Sequence, residues 1–170
     1  GASHIVLLDN TFEHAVDSGG SAKTGLFFEA ATYNLVLNNV IDDSSADSLS
    51  LVESDRNLIE GNTFTRAAHT LWTIKCGNYN ILRNNYFHNQ FQKIGEIYDC
   101  DGVGNNHDIY AVDATKHNVV EGNVFAYTPS SGDASPYAGI QYAGQNGIIR
   151  RNAFYETTGA ALDMTVYSAE

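Results

Sequence analysis

Cysteine, proline and positive charge are scarce in this sequence, and no long hydrophobic run occurs. Its 170 residues include 2 cysteines, 2 prolines and 9 lysines and arginines, against 20 aspartates and glutamates. The resulting net charge of −11 argues against nucleic acid and against an anionic membrane surface, because both attract basic proteins. It also disfavours direct binding of an acidic polysaccharide unless a cation bridges the two. No apolar stretch approaches transmembrane length, so no membrane span is predicted.

What the sequence does contain is a repeated pattern, Asn-apolar-apolar-x-x-Asn-x-Phe. Three copies are clear, at residues 57–64, 80–87 and 118–125, and weaker copies lie at 5–12, 34–41 and 147–154. The second Asn of each copy is separated from the next by 29, 23, 23, 38 and 29 residues. A self-similar period of this size indicates a solenoid, in which each unit buries its apolar face against its neighbours.

The apolar segments of each unit predict three short strands. They are β-branched or aromatic and are bounded by Gly, Asn and Asp, which is typical of strands and excludes helical repeats. One strand precedes the second Asn, another begins at the Phe two residues later, and a third follows at 49–51, 71–74, 95–97 and 162–164. Three strands and three turns per unit predict an all-β parallel β-helix of about six coils, with residues 1–170 as one domain within a longer solenoid.

Three columns of side chains should run along the inside of this solenoid. Asn tolerates the left-handed conformation at a sharp turn, and amides stacked about 4.8 Å apart can bond to one another. The predicted columns are Asn10, Asn39, Asn62, Asn85, Asn123 and Asn152; Phe12, Ile41, Phe64, Phe87, Phe125 and Phe154; and Leu7, Val36, Ile59, Leu82, Val120 and Ile149.

These Asn and Phe columns resemble the right-handed parallel β-helix proteins of the pectin-lyase-like superfamily, over nearly the whole chain. The resemblance implies a right-handed solenoid and an extracellular or periplasmic protein that recognises or processes a glycan. A polysaccharide lyase or a glycoside hydrolase is the catalytic hypothesis, and a non-catalytic adhesin-like or structural solenoid is the alternative. The hydrolase signature with Gly-His-Gly and the epimerase-like Tyr-Gly-x-Asp-Pro-His are absent, which weakens the catalytic hypothesis.

The outer face of the third strand is the candidate site, because enzymes of this fold carry their chemistry on an outer face beneath loops. Its two predicted columns are Ser50, Thr73, Glu96, Ala111 and Asp163, and Glu29, Val52, Lys75, Tyr98 or Asp113, and Thr165. Lys75 or Tyr98 is the candidate general base, with Glu96. Glu53, Glu96 and Asp99 are candidate oxygen ligands for Ca²⁺, which would neutralise a uronate carboxylate. The alternative is a solvated ion pair between Glu96 and Lys75.

Substrate contacts are predicted around the same strand. Lys93 enters it and could join the cluster or face solvent, and the insertion at 100–113 could bring His107 and Asp108 over the face. Tyr110 could stack on a sugar ring if it points outward. Trp72 could stack on a sugar ring if it points outward, whereas the alternative places it in the core. His69, His88 and His117 are interpreted as isolated turn histidines because they lack metal-site spacing.

Two further features leave alternatives open. Cys76 and Cys100 fall in adjacent coils and could form a disulfide, although their registers differ by one residue, or could be two small buried thiols. An aliphatic stripe precedes the inner column by one residue and should face outward, where it would allow lateral or end-to-end contact with another chain or further coils. The alternative is that it tucks inward at a turn. The stripe is Val6, Leu35, Leu58, Ile81, Val119 and Ile148.

Overall fold

A computed structural model describes residues 1–16, 23–90, 92–98, 115–127, 139–157 and 159–164. These residues form three six-stranded sheets, and every pair of neighbouring strands is parallel. The first sheet contains β1 (Val6–Leu8), β4 (Leu35–Leu37), β7 (Leu58–Glu60), β10 (Ile81–Arg83), β13 (Val119–Glu121) and β16 (Ile148–Arg150). The second contains β2 (Thr11–Ala15), β5 (Val40–Ser44), β8 (Thr63–Ala67), β11 (Tyr86–His88), β14 (Val124–Ala126) and β17 (Ala153–Tyr155). The third contains β3 (Leu26–Glu29), β6 (Leu49–Val52), β9 (Trp72–Lys75), β12 (Gly95–Tyr98), β15 (Ile140–Tyr142) and β18 (Leu162–Asp163).

Each sheet takes every third strand, so the chain visits the sheets in turn and completes six coils. The predicted parallel β-helix is therefore confirmed. One register is corrected: Glu96 pairs with Gln141, not with Ala111. The fifth coil crosses the first and second sheets before it reaches the third, so the strand after β12 in this sheet comes later in the sequence than expected. Ala111 itself lies outside the described residues.

The predicted asparagine ladder is continuous from the first coil to the sixth. Except at the chain ends it is buried, and each Asn in the column makes amide-to-amide bonds of 3.0 Å, from Asn10 through to Asn152. A second ladder is formed by the first Asn of the repeat, for which no column was predicted, and joins Asn34, Asn57 and Asn80 by the same 3.0 Å bond. Each amide also bonds to backbone atoms at the turn, so these buried polar groups are satisfied and hold adjacent coils in register.

Apolar columns fill the space between the ladders, as predicted. Phe64, Phe87 and Phe125 stack with ring centroids 4.9 and 5.2 Å apart, and the aliphatic column beside them is buried in the central coils. Trp72 also lies in this core, which corrects the expectation of an outward ring. Gly95 in the next coil makes room for it, because a Cβ there would lie 1.9 Å from the indole.

The outer face of the first sheet keeps its aliphatic stripe. Val6 and Ile148 are exposed, and the four residues between them in the stripe are half-buried. None of the six is fully buried, so they lie on the outer side of the sheet as strand alternation predicts, although four of them are partly covered. Cys76 is disulfide-bonded and not a free thiol, while Cys100 lies outside the described residues. Within the described part of the chain, no helix is long and apolar enough to cross a membrane.

Candidate functional site

The outer face of the third sheet carries polar side chains that are almost fully buried. Ser50, Thr73, Glu96 and Gln141 occupy equivalent outward positions on β6, β9, β12 and β15, and none is more than 8% exposed. A second column precedes each strand, where Asp47, Thr70 and Lys93 follow one another at the 23-residue period. The two columns bond to each other, so the face is one polar network that crosses four coils.

Asp47 and His69 form the exposed edge of this network. The imidazole Nδ1 lies 2.8 Å from Asp47 Oδ1, and the carboxylate also accepts bonds from the hydroxyls of Ser50 at 2.6 Å and Thr70 at 3.0 Å. Burial alone would raise the pKa of Asp47, but the hydrogen bonds from His69 and Ser50 outweigh it and lower the pKa. The hydrogen bond to Asp47 raises the pKa of His69 against the opposing effect of burial, and the charge of Glu96 adds to the rise.

Glu96 lies at the buried centre of the network. One carboxylate oxygen accepts a bond from the Thr73 hydroxyl at 3.1 Å and lies 3.9 Å from His69 Nδ1. The other forms an ion pair with the ammonium of Lys93, which also donates to Gln141 Oε1 at 3.0 Å. Because both Glu96 oxygens are engaged, the carboxylate is held rigidly and the Lys93 cation is fixed beside His69.

Lys75 and Tyr98 lie on the same sheet, one outward position further along the strands. The Lys75 ammonium lies 5.5 Å from the centre of the Tyr98 ring, so Lys75 faces Tyr98 and not Glu96. Burial, followed by the charges of Glu96 and Asp47, raises the pKa of Tyr98 to about 12. A phenol with that pKa keeps its proton at neutral pH, which makes it a poor general base.

Two other predicted site residues that the structure describes, Glu53 and Trp72, do not join this network. Glu53 is exposed at the end of β6, and Trp72 is in the core. Asp99, His107 and Tyr110 lie outside the described residues. Among the residues that the structure does describe, no three His, Cys, Asp or Glu side chains are grouped so that they could hold a metal ion.

Sequence reasoning missed Asp47 and His69, and interpreted His69 as an isolated turn residue. That interpretation is wrong, because His69 is bonded to Asp47 and lies close to Glu96. The 23-residue period could have revealed this column. The residues three positions before Ser50, Thr73 and Glu96 are Asp47, Thr70 and Lys93, and they follow the same period. His69 directly precedes Thr70.

The three parallel sheets and the inner amide ladders define this chain as a parallel β-helix repeat protein. The family described as "Periplasmic copper-binding protein (NosD)" matches residues 2–96, which is more than half of the chain. The chain belongs to this right-handed β-helix family. No curated protein sequence matches it.

Solved structures of similar fold come from proteins of larger size. A double mutant of the periplasmic alginate epimerase AlgG has a TM-score of 0.68 and 14% identity, over 90% of this chain and 36% of that one. The A-module of Azotobacter vinelandii mannuronan C-5 epimerase AlgE4 has a TM-score of 0.59 and 12% identity, over 99% and 53%. The enzymatically active domain of tailspike protein 2 of bacteriophage CBA120 has a TM-score of 0.56 and 13% identity, over 89% and 23%. This chain thus spans about a third to a half of the epimerase structures, and at these identities the likeness shows the fold alone.

Proposed function

We propose that this protein binds an acidic polysaccharide along the outer face of the third sheet and acts on it by proton transfer at His69. The observation that carries the proposal is the half-exposed imidazole, fixed at 2.8 Å on Asp47 beside a buried Lys93–Glu96 ion pair. A residue that transfers protons needs a titratable group in a fixed orientation. Asp47 holds the imidazole in place and raises its pKa above the ordinary value.

The reaction class that fits is proton abstraction next to a uronate carboxylate. Asp47 is hydrogen-bonded to Nδ1 of the imidazole. Nε2 is therefore the nitrogen that accepts the proton from the sugar carbon next to the carboxylate. Lys93 supplies a fixed positive charge that can stabilise the carboxylate as negative charge builds on it. Return of the proton to the other face of the sugar would give epimerisation, and loss of the glycosidic oxygen would give β-elimination. Tyr98 is then a candidate donor to the leaving oxygen.

Support for this substrate class comes from structural similarity and from the network. Two of the similar structures are epimerases, one of alginate and one of mannuronan. The family description and the disulfide at Cys76 both favour a periplasmic or extracellular site of action, since disulfides persist in oxidising compartments.

The copper named in the family description does not fit the described residues. Copper sites use imidazole, thiolate or thioether ligands that converge on one point. Here the Nδ1 of His69 is bonded to Asp47, Cys76 is in a disulfide, and the described residues contain no group of three ligating side chains. The predicted Ca²⁺ ligands Glu53 and Glu96 belong to no such group among the described residues, and Asp99 lies outside them. The proton transfer is therefore proposed without a metal, and a bridging cation would serve only to offset the net charge of −11 as the polymer binds.

The test compares two histidines that have the same kind of partner on different faces. His69→Ala and His14→Ala each remove an imidazole that lies 2.7 to 2.8 Å from an aspartate. Turnover of polymannuronate and other polyuronates is followed by the unsaturated product and by the sequence of uronates in NMR spectra. His69→Ala should lose at least about 100-fold in rate, and His14→Ala should keep the wild-type rate.

Equal rates in the wild type and His69→Ala would overturn the proposed role of His69. Wild-type protein that binds a polyuronate but never changes it would leave the non-catalytic, glycan-binding alternative. Wild-type protein that neither binds nor changes any acidic polysaccharide would reject the whole proposal.

A further inference from the structure

A second feature runs along the corner between the third and first sheets. At the turn into each strand of the first sheet, the residue two positions before the strand adopts a left-handed backbone conformation, with φ between 53° and 60°. In five successive coils this residue has a planar side chain, and in the sixth it is Asn146. We call the five the planar ladder: His4, Tyr33, Arg56, Tyr79 and His117.

The planar ladder is continuous. The rings of His4 and Tyr33 stack with centroids 5.4 Å apart and 13° between their planes, and those of Tyr79 and His117 stack at 4.8 Å and 8°. Arg56 joins the two pairs, because its guanidinium carbon lies 5.7 Å from the Tyr33 ring and 5.0 Å from the Tyr79 ring. The stack therefore covers four coil steps, about 19 Å at 4.8 Å per step.

Backbone conformation does not explain these residues. The left-handed region favours Gly, Asn and Asp, because other side chains are strained there. The turn between the first and second sheets has the same conformation and follows that rule, with Asp9, Asn38, Gly61, Asn84 and Gly122 in the first five coils. At the corner that carries the planar ladder, large side chains are present despite this cost. The turn after the second sheet also has large left-handed residues, such as His14, Arg66 and Tyr127, but there they alternate with Asp43 and Asn89.

The ladder presents ring edges to solvent. Because the rings cover one another's faces, the half-exposed surfaces of Tyr33 and Tyr79 are their edges and hydroxyls. Aromatic edges carry partial positive charge. The guanidinium of Arg56 adds N–H donors, although its charge is partly offset by the Asp55 carboxylate 3.7 Å away. Such a row suits a partner that presents oxygen atoms at regular intervals.

The aliphatic stripe of the first sheet lies beside the ladder, two residues later in each coil. Further across the same sheet, the carboxylates of Glu60 and Glu121 are each bonded to an arginine of the next coil, at 2.8 and 2.6 Å. Negative charge is thus neutralised on this face although the chain as a whole has a net charge of −11. A glycan combines repeated oxygens with apolar C–H surfaces, which matches a polar row flanked by an aliphatic one.

We propose that the planar ladder and the aliphatic stripe together form a second, non-catalytic surface that holds an acidic glycan chain along the solenoid axis. This rests on the proposed function for the identity of the polymer, but not for the surface itself. The ladder binds oxygen atoms of successive sugars, and the stripe contacts their apolar faces. The surface increases retention of long chains and takes no part in proton transfer.

The double variant Tyr33→Asn/Tyr79→Asn tests this surface. Asn suits the left-handed backbone and already occupies the equivalent position at Asn146, so the fold should be kept. The matched control is Tyr127→Asn, which removes an exposed tyrosine with φ of 56° at a different corner. Retention is measured by affinity electrophoresis in gels that contain polymannuronate, with thermal unfolding as a check on folding.

The double variant should bind polymannuronate at least about tenfold more weakly than the wild type, and Tyr127→Asn should bind as the wild type does. Equal retention of the double variant and the wild type, equal loss in both variants, or no retention of the wild type would overturn the inference. If the double variant does not fold, Arg56→Gln is tested in its place. Unchanged retention of Arg56→Gln at low salt would then overturn the inference.

Electrophoresis separates this inference from the proposed function, because retention needs no turnover. Wild-type protein that is retained through the ladder but turns nothing over would reject the proton-transfer role and keep the second surface. Turnover that depends on His69, together with unchanged retention of the double variant, would keep the proposed function and reject the second surface.

Discussion

The outer faces of the third and first sheets differ, although both follow the same strand alternation. On the third sheet, the outward positions hold Thr73 and Glu96 in a buried polar network. On the first sheet, they hold half-buried aliphatics such as Ile81 and ion pairs such as Glu60–Arg83, which remain in contact with solvent. The inner columns of both sheets are apolar. The comparison shows that the repeat determines the inside of the solenoid, whereas the outward positions are free to be specialised.

The largest expected difference between the two faces concerns their ion pairs. Glu96→Gln leaves the Lys93 ammonium without its partner in a site where the Glu96 side chain is 4% exposed. Removing one member of a buried pair costs about 3 to 5 kcal/mol, and turnover should be lost with it. Glu60→Gln removes one member of an exposed pair and should cost less than about 1 kcal/mol.

Chemical denaturation of the two variants checks this contrast. Equal, small losses of unfolding free energy would show that the Glu96–Lys93 pair behaves as a surface pair. Unchanged turnover in a folded Glu96→Gln variant would remove Glu96 from the site.

The second expected effect is a pH dependence of the turnover rate that is set by residues of the third sheet. Proton abstraction needs neutral His69, so the rate should rise with pH through the raised pKa of this imidazole. Asp47→Asn removes the main cause of the rise, so the ascending limb should move to lower pH while the maximum rate falls. An ascending limb that does not move would show that Asp47 does not set the protonation of His69.

The same pair should affect stability in a defined pH window. The raised pKa of His69 gives stability that is present below about pH 6.5 and is lost as pH rises through the folded value. The lowered pKa of Asp47 gives stability that is present above about pH 4 and is lost as pH falls. The destabilisation by Asp47→Asn should therefore be greatest between these limits. Denaturation at several pH values measures it, and a pH-independent loss would contradict the assigned shifts.

The smallest expected effect is on the first sheet. Ile81→Thr changes an outward, half-buried side chain and keeps a β-branched residue in the strand, so it should cost less than about 1 kcal/mol. Leu82→Ala, one residue later, removes a fully buried side chain and should cost about 2 to 5 kcal/mol. Similar losses of unfolding free energy for both variants, measured by chemical denaturation, would show that alternation does not separate the two sides of β10.

The fold was predictable because its columns obey short, regular spacings. Asn62, Asn85 and their equivalents follow from one pattern, and the amide ladder confirms it. Alternation also assigns Trp72 inward once Thr73 faces outward, so its burial could have been predicted. The neighbour of Glu96 on the next strand was not predicted correctly. The fifth coil does not keep the 23-residue spacing, so the count placed Ala111 where Gln141 lies.

The candidate site was predicted in part. The sheet and Glu96 were identified from the repeat, but the partner of Glu96 was expected to be Lys75 and is Lys93. Side-chain reach decides this, since Lys93 approaches from the turn before the strand, whereas Lys75 lies against Tyr98. Neither contact can be deduced from strand pairing alone.

The most direct test is an NMR titration of the wild-type protein with a short polyuronate oligomer. The account predicts that the ring signals of His69 and the backbone amides of Thr73 and Gln141 shift together and saturate at one affinity. Shifts confined to other faces of the solenoid, with His69 unmoved at concentrations where the oligomer binds, would contradict the assignment of the third sheet as the site.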